Sequence, residues 1–400
     1  MGANEYTEEY GKVPCSGRLK PESRGSAAVW DIFCRVVDNF GDAAICWRLA
    51  RQLSGEHSVP VRLWVDDLAL LRRLAPATLP GWCDGVQVCE WTDPFPSVAP
   101  GEVVIAAFAC DVPAGYLATL ARKSPASVWL NLEYLSAEDW VEGCHRMAST
   151  HPRLGLVQHF FFPGFTSGTG GLLREQGLFH RRDAFRKDIA AQADFLRRLG
   201  VTLPRGESLR VSLFSYENNS IPSLLDAWAA GEREVQCFLP ESRAWPQVAA
   251  WARKKSLVPG DRVSCGRLSL LAVPFTAQTD YDRLLWCCDL NFARGEDSCV
   301  RAQWAAVPFV WHIYPQDEGA HWVKLEAFLD RYLVGASEAE AAAFRKLWRD
   351  WNAGDEMGPA WAGFAHRCVE LTTHAERWCE ALCQQPDLAS QLVVFCSERL

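Results

Sequence analysis

Short apolar runs alternate with segments of helical spacing along most of this 400-residue chain. In the first half, alternation over 29–37 predicts a strand, and apolar Ile45, Leu49 and Leu53 predict a helix over 43–53. Further elements are expected as strands at 61–65, 86–88, 103–107 and 126–130 and as a helix at 66–74. Strands and helices in this order are typical of a parallel sheet covered by helices, so the half over 29–150 is predicted to be Rossmann-like.

The alternation of strands and helices is interrupted by aromatic-rich and glycine-rich segments such as 160–164 and 168–171, which are expected to be loops, and it resumes after them. Strands are expected at 209–214, 235–239, 269–271, 290–293 and 309–312, followed by helical regions at 336–351 and 358–384. The expected domains are therefore a disordered extension or expression remnant (1–28), a first half (29–150), a junction (151–207), a second half (208–375), and a C-terminal helix packing back on the first half (376–400). Two similar α/β halves indicate an enzyme with a cleft and one ligand held by each half.

Composition narrows the functional class. The chain is 49% apolar but has no run long enough to cross a bilayer, and its polar N-terminus lacks the apolar stretch of a signal peptide. Its 16 cysteines are scattered without any CxxC, which indicates buried free thiols in a reducing cytoplasm and gives no support for zinc. A net charge of −8 argues against a nucleic-acid partner. The mixed-charge stretch 174–187 is expected to be a solvated helix or linker face.

The segment 294–298 has the strongest chemical signal. It follows the apolar run 290–293, Gly295 permits a tight turn, and Asp297 or Ser298 is expected to cap a following helix. A helix N-terminus beside Arg294 suits a phosphate, but Glu296 and Asp297 add two carboxylates that a simple phosphate cradle would avoid. The mixture indicates a site for an anion and a cation together. A capped helix with a surface ion pair is an equally good explanation from spacing alone.

A second loop follows the first expected strand, where open α/β sheets bind ligands. Asp38 and Asp42 bracket Gly41, and a simple helix cap by Asp42 would leave Asp38 unexplained. The loop lacks the GxGxxG spacing of a dinucleotide site, so NAD binding is disfavoured.

The motifs of this chain resemble one bacterial family, the protein-arginine rhamnosyltransferases that act on elongation factor P (the EarP family). The resemblance covers about 29–395 and rests on these segments: 38–42 (DNFGD), 47–53 (WRLARQL), 131–136 (NLEYLS), 161–165 (FFPGF), 170–175 (GGLLRE) and 294–298 (RGEDS).

The resemblance implies a GT-B glycosyltransferase fold, in which two Rossmann-like domains face each other across a cleft. It also implies an inverting transfer of rhamnose from dTDP-β-L-rhamnose to an arginine guanidinium of elongation factor P. This modification activates the factor to relieve polyproline stalling. The enzyme would need no metal or other cofactor, and no membrane.

The resemblance assigns the acceptor chemistry to Asp42, Glu296 and Asp38. A guanidinium is a poor nucleophile, because its lone pair is delocalised and its pKa lies above about 12. Carboxylates that grip it can orient one nitrogen and stabilise developing charge. Asp42 is the candidate general base, while Glu296 could polarise the acceptor or steady an oxocarbenium-like centre.

Donor contacts are implied for a larger group of residues. In this group aromatic rings can stack on the base, Tyr216 can reach a phosphate and Gln278 can pair with the thymine edge, although core packing is an alternative for Phe214 and Tyr281. Arg294 and the helix start would meet the charge of the diphosphate. His312 and Gln316 could also touch the donor, or His312 could be a core histidine. The full set is Asn39, Phe40, Gly41, Phe214, Tyr216, Gln278, Tyr281, Arg294, Gly295, Asp297 and Ser298.

The chain departs from the family pattern at Cys299, where an aromatic is usual, at Val307, where lysine is common, and at 43–44, where Ala-Ala replaces Ile-Gly. The residues alone do not exclude two other functional classes. One is a GT-B-like epimerase or a transferase with a small acceptor, which would not need both aspartates of the first loop. The other is a non-catalytic partner of the translation machinery, which would tolerate loss of the carboxylates.

Overall fold

The computed structural model describes residues 29–37, 40–76, 81–201 and 208–400. Its strands are β1 (Trp30–Cys34), β2 (Val61–Val65), β3 (Gly81–Cys83), β4 (Val86–Glu90), β5 (Val103–Ala107), β6 (Val128–Leu132), β7 (Ala148–Thr150), β8 (Val157–Phe161), β9 (Leu209–Leu213), β10 (Val235–Pro240), β11 (Arg262–Cys265), β12 (Leu268–Val273), β13 (Leu290–Arg294) and β14 (Phe309–His312). Its α-helices are α1 (Gly41–His57), α2 (Leu68–Leu74), α3 (Ala114–Leu120), α4 (Trp140–Cys144), α5 (Leu178–Lys187), α6 (Ile189–Arg198), α7 (Ile221–Ala230), α8 (Trp245–Trp251), α9 (Gln278–Trp286), α10 (Gly295–Trp304), α11 (Ala320–Tyr332), α12 (Glu338–Ala353), α13 (Gly358–Ala365), α14 (Cys368–Cys383) and α15 (Leu388–Ser397).

Two sheets organise these elements. The first has the order β3-β4-β2-β1-β5-β6-β8-β7, and the second has the order β11-β12-β10-β9-β13-β14. All pairings are parallel except the hairpin pairs β3–β4, β7–β8 and β11–β12 at sheet edges. The central strands are mostly apolar because helices cover both of their faces, although β1, β2 and β13 also contain charged residues. The two Rossmann-like halves predicted for a GT-B fold are therefore present.

Strand order explains where ligands can bind. In each sheet the order reverses between two neighbouring strands, β1 and β5 in the first and β9 and β13 in the second. Loops that leave adjacent strands at such a switch point diverge and open a crevice at the carboxyl ends. Residues 35–37, which follow β1, and the helix start at Gly295, which follows β13, both lie at these points, at the carboxyl ends of the strands.

Several sequence boundaries shift. The first sheet includes β8, which pairs with β6 beyond the expected boundary at 150. The helical region expected at 358–384 is two helices, α13 and α14, because the chain turns between Ala365 and Cys368. Three edge strands, β3, β7 and β11, have largely exposed side chains, so their sequences lack the alternation that would have predicted them.

The segment expected as one C-terminal helix over 376–400 divides in two: 376–383 end α14, whose Cys379 and Leu382 lie in the core of the second half, and α15 packs on the first half. Leu388, Leu392 and Phe395 are buried in the same cluster as the core of the first sheet. Fourteen cysteines whose side chains are described are free thiols. Within the described ranges, no helix is both long and apolar enough to cross a membrane.

The basic stretch 174–187 is not simply a solvated face. Arg174 donates to the carbonyls of Cys383 and Gln385 at 2.8 and 2.9 Å, at the end of α14. Arg182 donates to the carbonyl of Trp304 at 2.9 Å, at the end of α10. Cations at helix C-termini satisfy unpaired carbonyls and oppose the negative end of the helix dipole. Arg174 and Arg182 of the segment 151–207 therefore stabilise the C-terminal ends of α14 and α10.

We predict that Arg174→Met lowers the free energy of unfolding by about 1–3 kcal/mol, because it leaves partly buried carbonyls without a donor. Arg181→Met is the matched control. Arg181 lies on the same stretch but is exposed and bonds only locally, to the carbonyl of Gln176. Its loss should change stability by less than about 0.5 kcal/mol in urea unfolding. Equal effects of the two changes would refute the capping role.

Candidate active site

Two clefts meet between the halves, with Gly41 and Gly295 lining both. Cleft A has an empty volume of about 660 Å³, including its mouth. Cleft B has an empty volume of about 800 Å³. Besides the two glycines, cleft A is lined by Phe40, Ala44, Leu74, Phe214, Tyr216, Pro240, Glu241, Phe275, Thr276, Gln278, Tyr281, Arg294, Asp297 and Ser298. Cleft B is lined by Val37, Asp42, Ile45, Tyr134, Leu135, Glu296, Trp311, Ile313, Tyr314, Gln316 and Lys324.

The two clefts separate the candidate residues by their chemistry. Cleft A contains the candidate donor contacts of the second half, and cleft B contains the carboxylates Asp42 and Glu296. Both shared glycines are the first residues of helices, α1 and α10. The positive ends of two helices therefore lie where the clefts join.

Arg294 is the cation of cleft A. Its guanidinium carbon lies 4.5 Å from the ring centre of Phe214 and 4.9 Å from that of Tyr216. Tyr216 also makes an edge contact with His312, at 5.2 Å between ring centres. These contacts hold a desolvated positive charge at the wall of the cleft, next to the start of α10.

Gln278 is buried at the start of α9. Its amide nitrogen donates to the carbonyl of Ala44 on α1 at 3.0 Å. Among the residues that the structure describes, its Oε1 has no hydrogen-bond partner. Because a buried amide oxygen without a partner is costly, cleft A offers an acceptor that a ligand N–H can satisfy.

The rim of cleft A joins the two halves through the predicted residue Phe40 and three residues that the sequence analysis missed. Phe40 packs on Phe275 at 4.7 Å between ring centres, and the Arg73 guanidinium lies 4.4 Å from the Phe275 ring. Arg73 also donates to Glu241 at 2.8 Å. Phe275 lies in an ordinary apolar stretch of the sequence, so no pattern marked it.

The structure corrects the expected cap of α10. The helix begins at Gly295, with Arg294 as its N-cap, so Asp297 and Ser298 lie inside the first turn. Gly295 has a φ of 61°, in the left-handed region that favours glycine. The Ser298 hydroxyl exchanges hydrogen bonds with the backbone of Arg294, accepting from its N–H at 2.9 Å and donating to its carbonyl.

Asp42 does not cap α1 either. The N-cap of α1 is Phe40, and Asp42 lies in the first turn with only 2% of its surface exposed. Its Oδ2 accepts from the backbone N–H of Val37 at 2.8 Å, which ties the first turn of α1 to Val37 beyond the end of β1. Asp38 and Asn39 lie outside the described residues.

The carboxylates of Glu296 and Asp297 have different partners. Glu296 accepts from the backbone N–H of Leu135 at 2.8 Å and lines cleft B. Asp297 accepts from Nε of Arg48 at 2.9 Å. Both carboxylates stay in the first turn of α10, but Glu296 lines cleft B and Asp297 is paired with a cation.

Arg48 and Asp297 belong to a buried ion cluster, which comprises Arg48, Arg301, Glu175, Asp282 and Asp297. Arg48 also bonds Asp282 at 3.1 and 3.2 Å and Glu175 at 3.2 Å. Arg301 bonds Asp282 at 2.8 and 2.9 Å and Glu175 at 2.6 Å. The cluster links α1, the junction, α9 and α10.

Burial shifts the pKa values of this site. Burial raises the pKa of Asp297, and Arg48 and Arg301 offset part of that rise. Burial alone would also raise the pKa of Glu175, but the charges of Arg301 and Arg48 outweigh it and lower the pKa well below its usual range. Burial also raises the pKa of Tyr281. Burial and the Arg294 charge lower the pKa of His312 to about 3, so this ring is neutral at physiological pH.

The remaining predicted residues fall near the site. Gln316 is exposed and lines cleft B, whereas His312 is buried under Tyr216. Cys299 and Val307, which depart from the family pattern, are both buried. In the part of the chain that the structure describes, no group of three or more His, Cys, Asp or Glu could hold a metal ion.

Comparisons with known proteins agree on one family. A family model described as elongation factor P (EF-P) rhamnosyltransferase EarP matches residues 30–397. A protein-arginine rhamnosyltransferase of Pseudomonas putida is 49% identical over 372 residues, covering 92% of this chain and 98% of the relative. A protein of the same name from Pseudomonas aeruginosa is 46% identical, covering 93% and 100%. A solved structure from work on the structural basis for EarP-mediated arginine glycosylation of translation elongation factor EF-P is 38% identical, with a TM-score of 0.69 over 93% of this chain and 100% of that one.

The ion cluster makes a prediction about stability and pH. Because the folded-state pKa of Glu175 is depressed, its contribution is complete above the unfolded value of about 4.3 and is lost as pH falls below it. We therefore expect Glu175→Gln to lower the free energy of unfolding at pH 7 by about 2 kcal/mol or more. Stability of this variant should fall less steeply than that of wild type between about pH 5 and 3.

Glu234→Gln is the matched control, because Glu234 pairs with Arg267 at 3.3 Å where both side chains are more than half exposed. It should change stability by less than about 1 kcal/mol at either pH. Parallel pH profiles for Glu175→Gln and wild type in urea unfolding would contradict the account.

Proposed function

This chain belongs to the EarP family of elongation factor P arginine rhamnosyltransferases, and we propose that it moves rhamnose from dTDP-β-L-rhamnose to an arginine of that factor with inversion. The observation that carries the proposal is the junction of two clefts at Gly41 and Gly295. One cleft has the aromatic and helix-start features of a nucleotide site. The other has Asp42 and Glu296.

In this proposal the nucleotide lies in cleft A. The unpartnered Oε1 of Gln278 accepts the N3–H of thymine, and the base packs on the rings of Phe40 and Phe275, which line the same cleft. The diphosphate lies at the N-terminus of α10, where Arg294 and the positive end of the helix meet its charge. Tyr216 lies beside Arg294 and can donate to a phosphate oxygen.

The acceptor arginine enters from cleft B, so the sugar lies at the junction between the two clefts. A guanidinium nitrogen attacks the anomeric carbon as the bond from that carbon to the phosphate oxygen breaks. The electron pair leaves with dTDP, and the nitrogen loses its proton to Asp42. Attack from the side opposite the leaving group inverts the anomeric centre.

Asp42 and Glu296 lie on two sides of cleft B, one from each half. Asp42 is held by the Val37 N–H and Glu296 by the Leu135 N–H, so each carboxylate is oriented before the acceptor arrives. We assign Asp42 as general base and Glu296 to orienting the guanidinium and stabilising positive charge. Asp38 would complete the grip on the guanidinium.

The leaving diphosphate needs positive partners. Arg294 and the start of α10 can supply them without a metal ion, so we propose a metal-independent reaction. The proposed acceptor is a translation factor, so the enzyme would act in the cytoplasm, where rhamnosylated elongation factor P relieves polyproline stalling.

We predict that Asp42→Asn and Glu296→Gln each reduce turnover about a hundredfold or more, equivalent to roughly 3 kcal/mol in the barrier. Each change keeps the shape of the side chain but removes a charge needed on the acceptor side, so dTDP binding should persist. Release of dTDP in the presence of the acceptor measures turnover. Glu232→Gln is the control, because Glu232 is exposed and lies just before the amino end of β10, whereas the clefts open at the carboxyl ends of the strands. Turnover near wild type in either site variant would remove that residue from the mechanism.

We also predict that dTDP alone raises the melting temperature, because it binds cleft A of the folded protein and not the unfolded chain. Tyr216→Ala and Gln278→Ala should reduce this rise, whereas EDTA should change neither the rise nor the activity. Thermal unfolding with increasing dTDP provides the measurement. Loss of activity on chelation would refute the metal-free reaction, and an unchanged rise in the Gln278 variant would refute its contact with the base.

A further inference from the structure

Asp297 poses an electrostatic problem for the proposed donor site. It lies in the first turn of α10 and lines cleft A, where the diphosphate is expected. A carboxylate favours a helix N-terminus but repels an anion bound at the same place. The site therefore needs a positive charge that neutralises Asp297 without occupying the space of the ligand.

Arg48 has the geometry for this task. It reaches across from α1 in the other half, and its Nε donates to Oδ1 of Asp297 at 2.9 Å. Its Nη1 and Nη2 donate to Glu175 and Asp282, so all three nitrogens are bonded within the protein. Its side chain is 3% exposed, compared with 13% for Asp297. Arg48 therefore acts on a ligand in cleft A through Asp297.

The charges of the ion cluster show why Asp297 needs Arg48. The cluster has two arginines and three carboxylates, so its formal charge is already negative. Removal of Arg48 would leave Arg301 alone with Glu175, Asp282 and Asp297. The hydrogen bonds of Arg301 go to Asp282 and Glu175. Asp297 would then lose its bonded cation, on the side of the cluster nearest to cleft A.

We propose that Arg48 is a positioning residue for donor binding, which holds and neutralises Asp297 so that the start of α10 can accept a nucleoside diphosphate. The inference rests on the proposed dTDP site in cleft A. It adds a link between the halves, because α1 packs against α10 and both helices begin at the glycines shared by the clefts. The acceptor-side half thereby contributes to the affinity of the second half for its nucleotide.

Calorimetric titration with dTDP tests the proposal. Arg48→Gln should weaken dTDP binding about tenfold or more, because a carboxylate that has lost its cation then faces the diphosphate. Adding Asp297→Asn to this variant restores no lost contact, but it removes the repulsion and should recover most of the affinity. With the acceptor present, Arg48→Gln should raise the KM for dTDP-rhamnose far more than it lowers kcat at saturating donor.

Two further variants separate charge from packing. Arg48→Lys keeps the charge but loses the planar fork, so it should melt at a lower temperature and bind dTDP within about threefold of wild type. Arg301→Gln is the matched control within the same cluster. It should lower stability, and Asp297→Asn should recover much less affinity there than in Arg48→Gln, because the hydrogen bonds of Arg301 go to Asp282 and Glu175.

Several outcomes would overturn the inference. They are dTDP binding like wild type in folded Arg48→Gln, no recovery on adding Asp297→Asn, or equally weak binding in Arg48→Lys and Arg48→Gln. If Arg48→Gln alone does not fold, the double variant, with one cation and one anion fewer, and Arg48→Lys still decide the question. Failure of the wild-type protein to bind dTDP would instead refute the proposed donor site.

Discussion

The structure depends on a buried ion cluster that joins its two halves. Arg48 and Arg301 share Glu175, Asp282 and Asp297, with their side chains contributed by α1, the junction, α9 and α10. Buried charges are stable only when partners and geometry are complete, so each member constrains the position of the others. Since α1 and α10 begin at Gly41 and Gly295, the same cluster fixes the two helix starts side by side. This arrangement explains why cleft A and cleft B meet at the two glycines.

That constraint also explains an unusual helix start. The first turn of α10 has two acidic residues where a phosphate-binding helix would have none. Glu296 faces cleft B and is held by the Leu135 N–H, while Asp297 is bonded to Arg48. One turn of helix can therefore serve an anionic donor on one side and a cationic acceptor on the other.

Membership of the arginine rhamnosyltransferase family decides against the epimerase and the non-catalytic partner that the residues alone left open.

Much of the fold could be predicted because buried parallel strands are short, mostly apolar runs, as at 61–65, 103–107 and 309–312, where the predicted bounds match those observed. The exposed edge strand β7 has no such pattern. The two candidate loops were identifiable from their turn and charge pattern, but the cluster was not. An arginine between Trp47 and Leu49 on an apolar helix face signals a need for buried anions. Its partners, however, lie 127 to 249 residues away, a distance that local patterns do not span.

The central claim is that the two clefts together transfer rhamnose to an arginine of elongation factor P. Intact-mass spectrometry of that factor, after incubation with this protein and dTDP-rhamnose, tests it most directly. The account predicts a mass increase of one deoxyhexosyl unit, which peptide mapping assigns to a single arginine. An unchanged mass in the presence of folded protein that binds dTDP, or a sugar on another residue type, would contradict it.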